Sequence, residues 1–367
     1  MRHTLLLISL FATLMVNAQS LTTPPDGGNK KASVSERIGI TDVTIHYDRP
    51  GVKGREGKIW GQLVPYGFTD LAFGTSKAAP WRAGANENTT ISFSTDVMVG
   101  KQPLAAGRYG LFIAMGEQQA TLILSKNSTS WGSFFYDPKE DALRQTVPVQ
   151  KMKEEVERLR YEFSNQTDTS AVISMEWEFV RIPFEVSVDL RSTQLASFRN
   201  ELRSDKGFQW EPWVQAANYA VSNHTNLEEA LTWSDYAISG PFVGQKNFRT
   251  LSTKASVLAA LNRQQEADQL MKEAMPLATM QELHQYGRQL LRNKKNKEAL
   301  EVFELNAKNH PGEFTPLMGL TRGYSANGEY AKAAATAKKA LVLAPDKANK
   351  DAIARFITML ESGKDIN

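Results

Sequence analysis

The hydrophobic period of this chain changes once, near Ser192, and no single layer of secondary structure accommodates both halves. Up to about Leu190 apolar residues recur at every second position. Val43, Ile45 and Tyr47 alternate with Thr44 and His46, and the theme returns in Ile91-Ser92-Phe93-Ser94, Arg108 to Ile113 and Ala120 to Leu124. That is the pattern of half-buried strands. Turn-forming sequences separate them: Arg49-Pro50-Gly51, Val99-Gly100-Lys101, Met115-Gly116 and Lys126-Asn127. Many short strands with glycine-rich turns specify a sandwich or barrel. Met152, Val156, Leu159 and Phe163 fit a helical period, while Leu159, Tyr161 and Phe163 alternate. The strand-like run Ala171 to Phe179 needs an antiparallel neighbour, so residues 157–164 are expected to be strand, with a last strand at Phe184, Val186 and Val188.

Beyond Ser192 the period becomes 3.6 and Ala, Leu, Lys, Glu and Gln dominate. Pro311 and Pro345 stand 34 residues apart, each closing a helical run, and Ala230, Ala267, Ala299 and Ala333 recur near the same interval. Paired helices at this period resemble tetratricopeptide repeats, whose small residues let two helices approach closely. Gly287, Ala299, Phe303 and Pro311, then Tyr324, Ala333, Ala340 and Pro345, carry that resemblance best. Trp213 to Ile238 and Phe248 to Ala274 are degenerate copies, and Lys350 to Leu360 is the expected capping helix. The fold class expected is therefore an antiparallel β-sandwich followed by an α-helical, tetratricopeptide-like solenoid.

The ends and the composition narrow the setting. Arg2 and His3 precede the apolar run Leu5 to Phe11, and Val16-Asn17-Ala18 supplies a small residue for cleavage. This run is too short for a permanent bilayer span and reads as a secretory signal. The expected division is a signal peptide over 1–18, a flexible leader over 19–31, a β domain over 32–190 and a helical repeat domain over 193–367. The mature protein would be periplasmic or secreted, without a membrane span. The chain has no cysteine, which excludes disulfides, thiolate metal sites and a cysteine nucleophile. A net charge of +3, with no concentrated Lys/Arg block, gives no reason to expect nucleic acid as a partner.

In the first half, Tyr47-Asp48-Arg49-Pro50, Lys53-Gly54-Arg55, Ile59-Trp60-Gly61, Leu63-Val64-Pro65-Tyr66-Gly67, Trp81-Arg82-Ala83-Gly84-Ala85-Asn86-Glu87 and Ala106-Gly107-Arg108-Tyr109-Gly110-Leu111-Phe112 follow one another in order. Trp131-Gly132 and Asp141-Ala142-Leu143-Arg144 extend the series. The whole β half resembles the bacterial domain of unknown function 2911, a resemblance that implies an exported β-sandwich and no particular activity. One departure stands out: Phe68 to Ala79 is inserted between the Val-Pro-Tyr-Gly and Trp-Arg motifs.

Chemistry-bearing patterns are sparse. The histidines of the expected mature chain, His46, His224, His284 and His310, never adopt ligand spacing, so neither metal nor cofactor is expected. There is no nucleophile elbow and no phosphate loop, since Gly51 to Gly57 lacks the Gly-Lys-Ser/Thr ending. Two surfaces remain. Arg49, Arg55, Trp81, Arg82, Asn86 and Glu87 form a candidate ligand site, with Trp60, Tyr66, Trp131 and Tyr136 as further stacking platforms. The same residues also suit a purely structural role, the tryptophans filling the core and the arginines tying loops to Glu87 and Asp141. On the helical half, Arg249, His284, Arg288, Arg292 and Arg322 fall on the inward faces of first helices. His284, Arg288 and Arg292 share one helical face, and Arg288 and Arg322 occupy equivalent points of adjacent repeats. This basic stripe suits an acidic peptide or a carboxylate. The leading functional expectation is an exported, non-enzymatic scaffold that engages a protein or peptide. The alternative is a carbohydrate- or anion-directed enzyme or small-ligand receptor built on the Trp-Arg motif. The sequence sets no oligomeric state.

Overall fold

The computed structural model describes residues 28–367; the expected signal peptide and most of the expected leader lie outside the described residues. The chain divides into two compact units between Thr193 and Gln194.

The first unit is all-antiparallel β. One six-stranded sheet has the order β1 (Lys30–Ile38), β2 (Thr41–Arg49), β3 (Thr90–Phe93), β6 (Gly107–Ala114), β7 (Gln119–Ser125) and β8 (Asp141–Pro148). A four-stranded sheet has the order β5 (Gln102–Leu104), β4 (Val97–Val99), β10 (Ser170–Ser187) and β9 (Gln150–Ser164). Their inner faces share one core, in which Ile45, Ile91, Leu111 and Leu122 meet Leu159, Ile173, Met175 and Trp177. The period-2 pattern works here because alternate side chains of a strand point to opposite faces.

Three local expectations change. The leader ends earlier than residue 31, because Lys30 and Lys31 already pair with Arg49 and Asp48 in the first strand. The strand expected from 157 begins at Gln150, so the helical spacing of Met152 and Val156 is incidental. The two separate final strands are one strand of 18 residues. Its register against β9 shifts on both sides of Glu178, whose backbone is left-handed at φ 53°, the signature of a bulge that bends the strand without ending it.

The second unit begins within α1 (Leu190–Glu201) and continues as helix pairs: α2 (Trp210–Ser222) with α3 (Leu227–Ser239), α4 (Phe248–Ala260) with α5 (Gln264–Ala274), α6 (Met280–Arg292) with α7 (Asn296–Asn309), and α8 (Phe314–Ala326) with α9 (Tyr330–Val342). A final helix, α10 (Lys347–Glu361), covers the last pair. Ala230, Ala267, Ala299 and Ala333 all sit in the first turn of the second helix of a pair, and all are buried. A larger side chain there would push the paired helices apart. Phe303 shows the complementary device: a methyl at Gly287 or Gly319 would stand 2.5 Å from its ring, so α6 and α8 both make room for one fully buried aromatic.

Candidate functional site

The Trp-Arg motif builds a loop before it builds anything else. Trp81 donates its indole N–H to the Gly84 carbonyl at 3.1 Å, and Arg82 donates from Nη1 to the Asn86 carbonyl at 2.7 Å. The Ala83 carbonyl accepts from the buried Tyr161 hydroxyl at 2.8 Å and from Thr89 at 3.2 Å. Ala83 and Asn86 both hold left-handed backbone, at φ 52° and 53°, a conformation that costs energy unless the surroundings impose it. Those side-chain bonds to loop carbonyls impose it. Gly84 allows close passage over β2: a methyl there would meet the Asp48 carbonyl at 3.2 Å and the Thr89 hydroxyl at 2.5 Å.

The six residues expected to share a ligand site are dispersed. Trp81 stacks on Trp177 at 6.0 Å and meets Trp60 edge-on at 5.7 Å against the sandwich core. Arg49 donates to the Leu159 carbonyl at 2.9 Å, and Arg55 closes its own turn on the Val52 and Gly51 carbonyls at 2.9 and 2.7 Å. The Arg82 guanidinium lies against Gly132, where a methyl would stand 2.8 Å from Cζ, and contacts the Trp131 and Phe134 rings at 5.3 and 5.5 Å. Burial lowers the Arg82 pKa. Asn86 accepts from Asn29 at 3.2 Å. Arg82 and Glu87 do not pair: Glu87 bonds to Lys31, whose ammonium also stands 3.8 Å from Asp48. Tyr136 is likewise structural, bonded to Asp141 and Arg144 at 2.7 Å each.

Of the six, Arg49 lines a cleft along β9 with Glu157 and Glu176, and Glu87 alone lines the cleft beside the Trp-Arg loop. It opens on the outer face of the six-stranded sheet, with a volume of about 540 Å³, and Lys31, His46, Asp48, Asn88, Arg108 and Trp131 line it. Strand alternation places His46 and Asp48 on this face, directly opposite Ser33 and Lys31. Asn88 reaches over Gly110, where a methyl would come 2.7 Å from the Asn88 amide nitrogen, and donates to the Asn127 carbonyl at 3.3 Å. Asn127 in turn accepts from the Thr129 and Ser130 backbone N–H groups at 3.3 and 3.2 Å, which shapes the wall carrying Trp131. The inserted segment braces that wall. Ser76 N–H donates to the Phe134 carbonyl at 3.0 Å, and Phe73 packs edge-on against Phe134 at 5.3 Å. The period-2 pattern of β2 already put His46 and Asp48 together; Lys31 was hidden by an apparent leader, and Asn88 by its place at the end of the motif.

The helical unit keeps its expected residues together more fully. Arg249 of α4 and His284, Arg288 and Arg292 of α6 line one cleft of about 670 Å³, with Asn218 of α2 beside them. These are the first helices of three successive pairs. Arg249 rests on Trp210 at 5.1 Å, and among the described residues no carboxylate forms an ion pair with Arg249, Arg288, Arg292 or Arg322. Glu282 is close but is committed to the Thr279 capping box, accepting from Thr279 N–H at 2.9 Å. The pKa of His284 is lowered by burial and by the charges of Arg288 and Arg322, and its Nδ1 is buried without a partner. Arg322 departs from the expected stripe. It is near Arg288 but lies on Phe356 at 5.2 Å and donates to the Ile366 carbonyl at 3.5 Å, so residues 365–367 cover it.

The protein thus combines an antiparallel β-sandwich with an all-helical, solenoid-like unit. Within it, residues 29–186 match the family model described as "Protein of unknown function (DUF2911)". No curated protein matches the chain. Solved structures similar to it include YrrB, described as a TPR protein with an unusual peptide-binding site, at 15% identity over 46% of this chain and 85% of that one, with a TM-score of 0.29. MamA 41-end from Desulfovibrio magneticus RS-1 is similar at 19% identity over 42% and 93% of the chains, with a TM-score of 0.27. A putative kinesin light chain of Podosopora anserina with TPR-like repeats gives 15% identity over 42% and 85%, with a TM-score of 0.30. Among the described residues no three His, Asp or Glu side chains are grouped so as to hold a metal ion.

Proposed function

We propose that this is an exported, non-enzymatic binding protein whose helical unit captures an acidic segment of a protein partner. The observation that carries the reading is the cleft shared by Arg249, His284, Arg288 and Arg292, lined by three guanidiniums with no ion pair to a carboxylate, its one acidic side chain, Glu282, being held in the Thr279 capping box. Like charges held together raise the energy of the empty cleft, and an entering carboxylate relieves it. Planar guanidiniums add two-pronged donation to that attraction. First helices of stacked pairs present a continuous inner surface, the usual place for an extended peptide in such arrays. Export rests on the charged, apolar and small-residue order of residues 2–18, and N-terminal sequencing of the secreted product should then start near Gln19.

The test is fluorescence anisotropy with a labelled Asp/Glu-rich peptide and its Asn/Gln counterpart. The acidic peptide should bind at least about tenfold tighter, and Arg288→Glu with Arg292→Glu should remove that preference. Equal binding of the two peptides by the unmodified protein would refute the reading.

A further inference from the structure

We propose that the outer face of the six-stranded sheet is a second binding site, for a neutral saccharide. In it Asp48 and Asn88 accept ligand hydroxyls and Trp131 provides the stacking plane. This site uses none of the residues of the helical cleft.

Buried polar atoms are nearly always hydrogen-bonded, and those that are not call for an explanation. Here two unpartnered acceptors belong to the same cleft. Asp48 is 3% exposed and Asn88 9%, and Oδ1 of each is buried with no partner. Thr90 Oγ1, on the strand next to β2 and opposite His46, is unpartnered too. A carboxylate oxygen and an amide oxygen both ask for donors, so the missing ligand is one that brings O–H or N–H groups.

The charge of the lining chooses between those. Lys31 and Arg108 balance Asp48 and Glu87, so the cleft has no net charge with which to select an ion. An ammonium ligand would meet Lys31 and Arg108. An anion would meet Asp48 and Glu87, and the one nearby ammonium already bridges those two carboxylates. Neutral hydroxyl groups satisfy the acceptors with neither conflict. The Lys31 ammonium stands 3.8 Å from Asp48 Oδ2 and not over the unpartnered Oδ1; swung fully onto Glu87, it leaves the Asp48 carboxylate open to a ligand hydroxyl.

Trp131 supplies what the polar floor lacks. Its side chain borders the cleft, and the residue is 59% exposed although it is held from within by Arg82 and by the nearly parallel Phe134 ring at 6.0 Å. An exposed, immobilised indole beside buried acceptors and a wall of Ser128, Thr129 and Ser130 matches a sugar, which has apolar C–H faces and a polar rim. The volume of about 540 Å³ falls in the range of roughly 300–1,000 Å³ usual for small-molecule sites.

The experiment is tryptophan fluorescence and calorimetric titration of the full mature protein with maltotriose, cellotriose, xylotriose and chitotriose, alongside choline and citrate as charged probes. At least one trisaccharide should bind. Trp131→Ala and Asp48→Asn should each weaken that binding about tenfold, with Trp131→Phe retaining most of it and Arg288→Glu leaving it unchanged. Trp131→Ala also removes the contacts to Arg82 and Phe134, so a melting curve establishes that the variant is folded at the titration temperature. The proposal is overturned if no trisaccharide binds at millimolar concentration, if binding survives both Trp131→Ala and Asp48→Asn, or if choline or citrate binds in the trisaccharides' stead. Loss of peptide binding by the helical cleft bears on the proposed function alone.

Discussion

Replacing Arg82 with alanine should destabilise the β domain before it affects any ligand. Three contacts disappear together: the donated bond to the Asn86 carbonyl at 2.7 Å and the stacking on Trp131 and Phe134 at 5.3 and 5.5 Å. A hydrogen bond from a charged group contributes about 1.5–3 kcal/mol and each partly buried cation–π contact roughly 0.5–1 kcal/mol. Against this stands the relief of a guanidinium buried without a carboxylate, the same burial that lowers its pKa. A net loss of about 3 kcal/mol lowers the melting temperature of a domain this size by roughly 6–12 °C. Calorimetry reads the stability, and hydrogen exchange followed by mass spectrometry reads residues 80–90 and 126–137 directly, where protection should fall. Arg82→Lys should recover little, because an ammonium cannot lie flat against Gly132 between two rings. If Arg82→Ala leaves both melting and exchange unchanged, or if lysine restores both fully, the strut argument fails and Arg82 returns to the list of ligand groups.

Two further outcomes follow from the helical unit. The His284 pKa stands below its usual value because the ring is half-buried, beside Phe303 and between the charges of Arg288 and Arg322. A bound carboxylate would raise it, so binding takes up a proton. Acidic-peptide affinity should therefore increase as pH falls from about 7 toward 5.5, through the histidine range, and His284→Gln should flatten the slope. An affinity that falls over that range would count against a carboxylate at His284. Separately, Asp365 accepts from the Ser325 hydroxyl at 2.6 Å, Ile366 N–H donates to the same oxygen at 3.1 Å, and Asn367 reaches the Arg322 carbonyl at 3.0 Å. Removing residues 365–367 should expose Arg322 and tighten acidic-peptide binding several-fold at low salt, as measured by the same anisotropy assay; unchanged affinity would show that the Arg322 end takes no part.

Much of the architecture was legible because it is periodic. The alternation in Val43 to Tyr47 and the recurrence of Ala230, Ala267, Ala299 and Ala333 are local consequences of strand and helix geometry, so they survive in the bare sequence. The same holds for the basic cleft. Residues four apart on α6 stay on one face whatever else the chain does, and Arg249, His284, Arg288 and Arg292 are indeed found together.

The Trp-Arg stretch was legible only as an anomaly. Its indole and guanidinium mark a candidate ligand site, but their partners are a carbonyl four residues on, a tryptophan in β10, and a glycine in a distant loop. No spacing rule encodes those distances. The motif is a loop braced from both within and without, and its value is to hold Glu87 and Asn88 at the edge of a cleft whose other walls come from β1, β2, β6 and the loop around Trp131. Local periodicity sets which elements form and which faces they bury. Which arginine meets which carbonyl, and which buried acceptor is left without a donor, depends on chain segments far apart in sequence, and only their packing in space decides it.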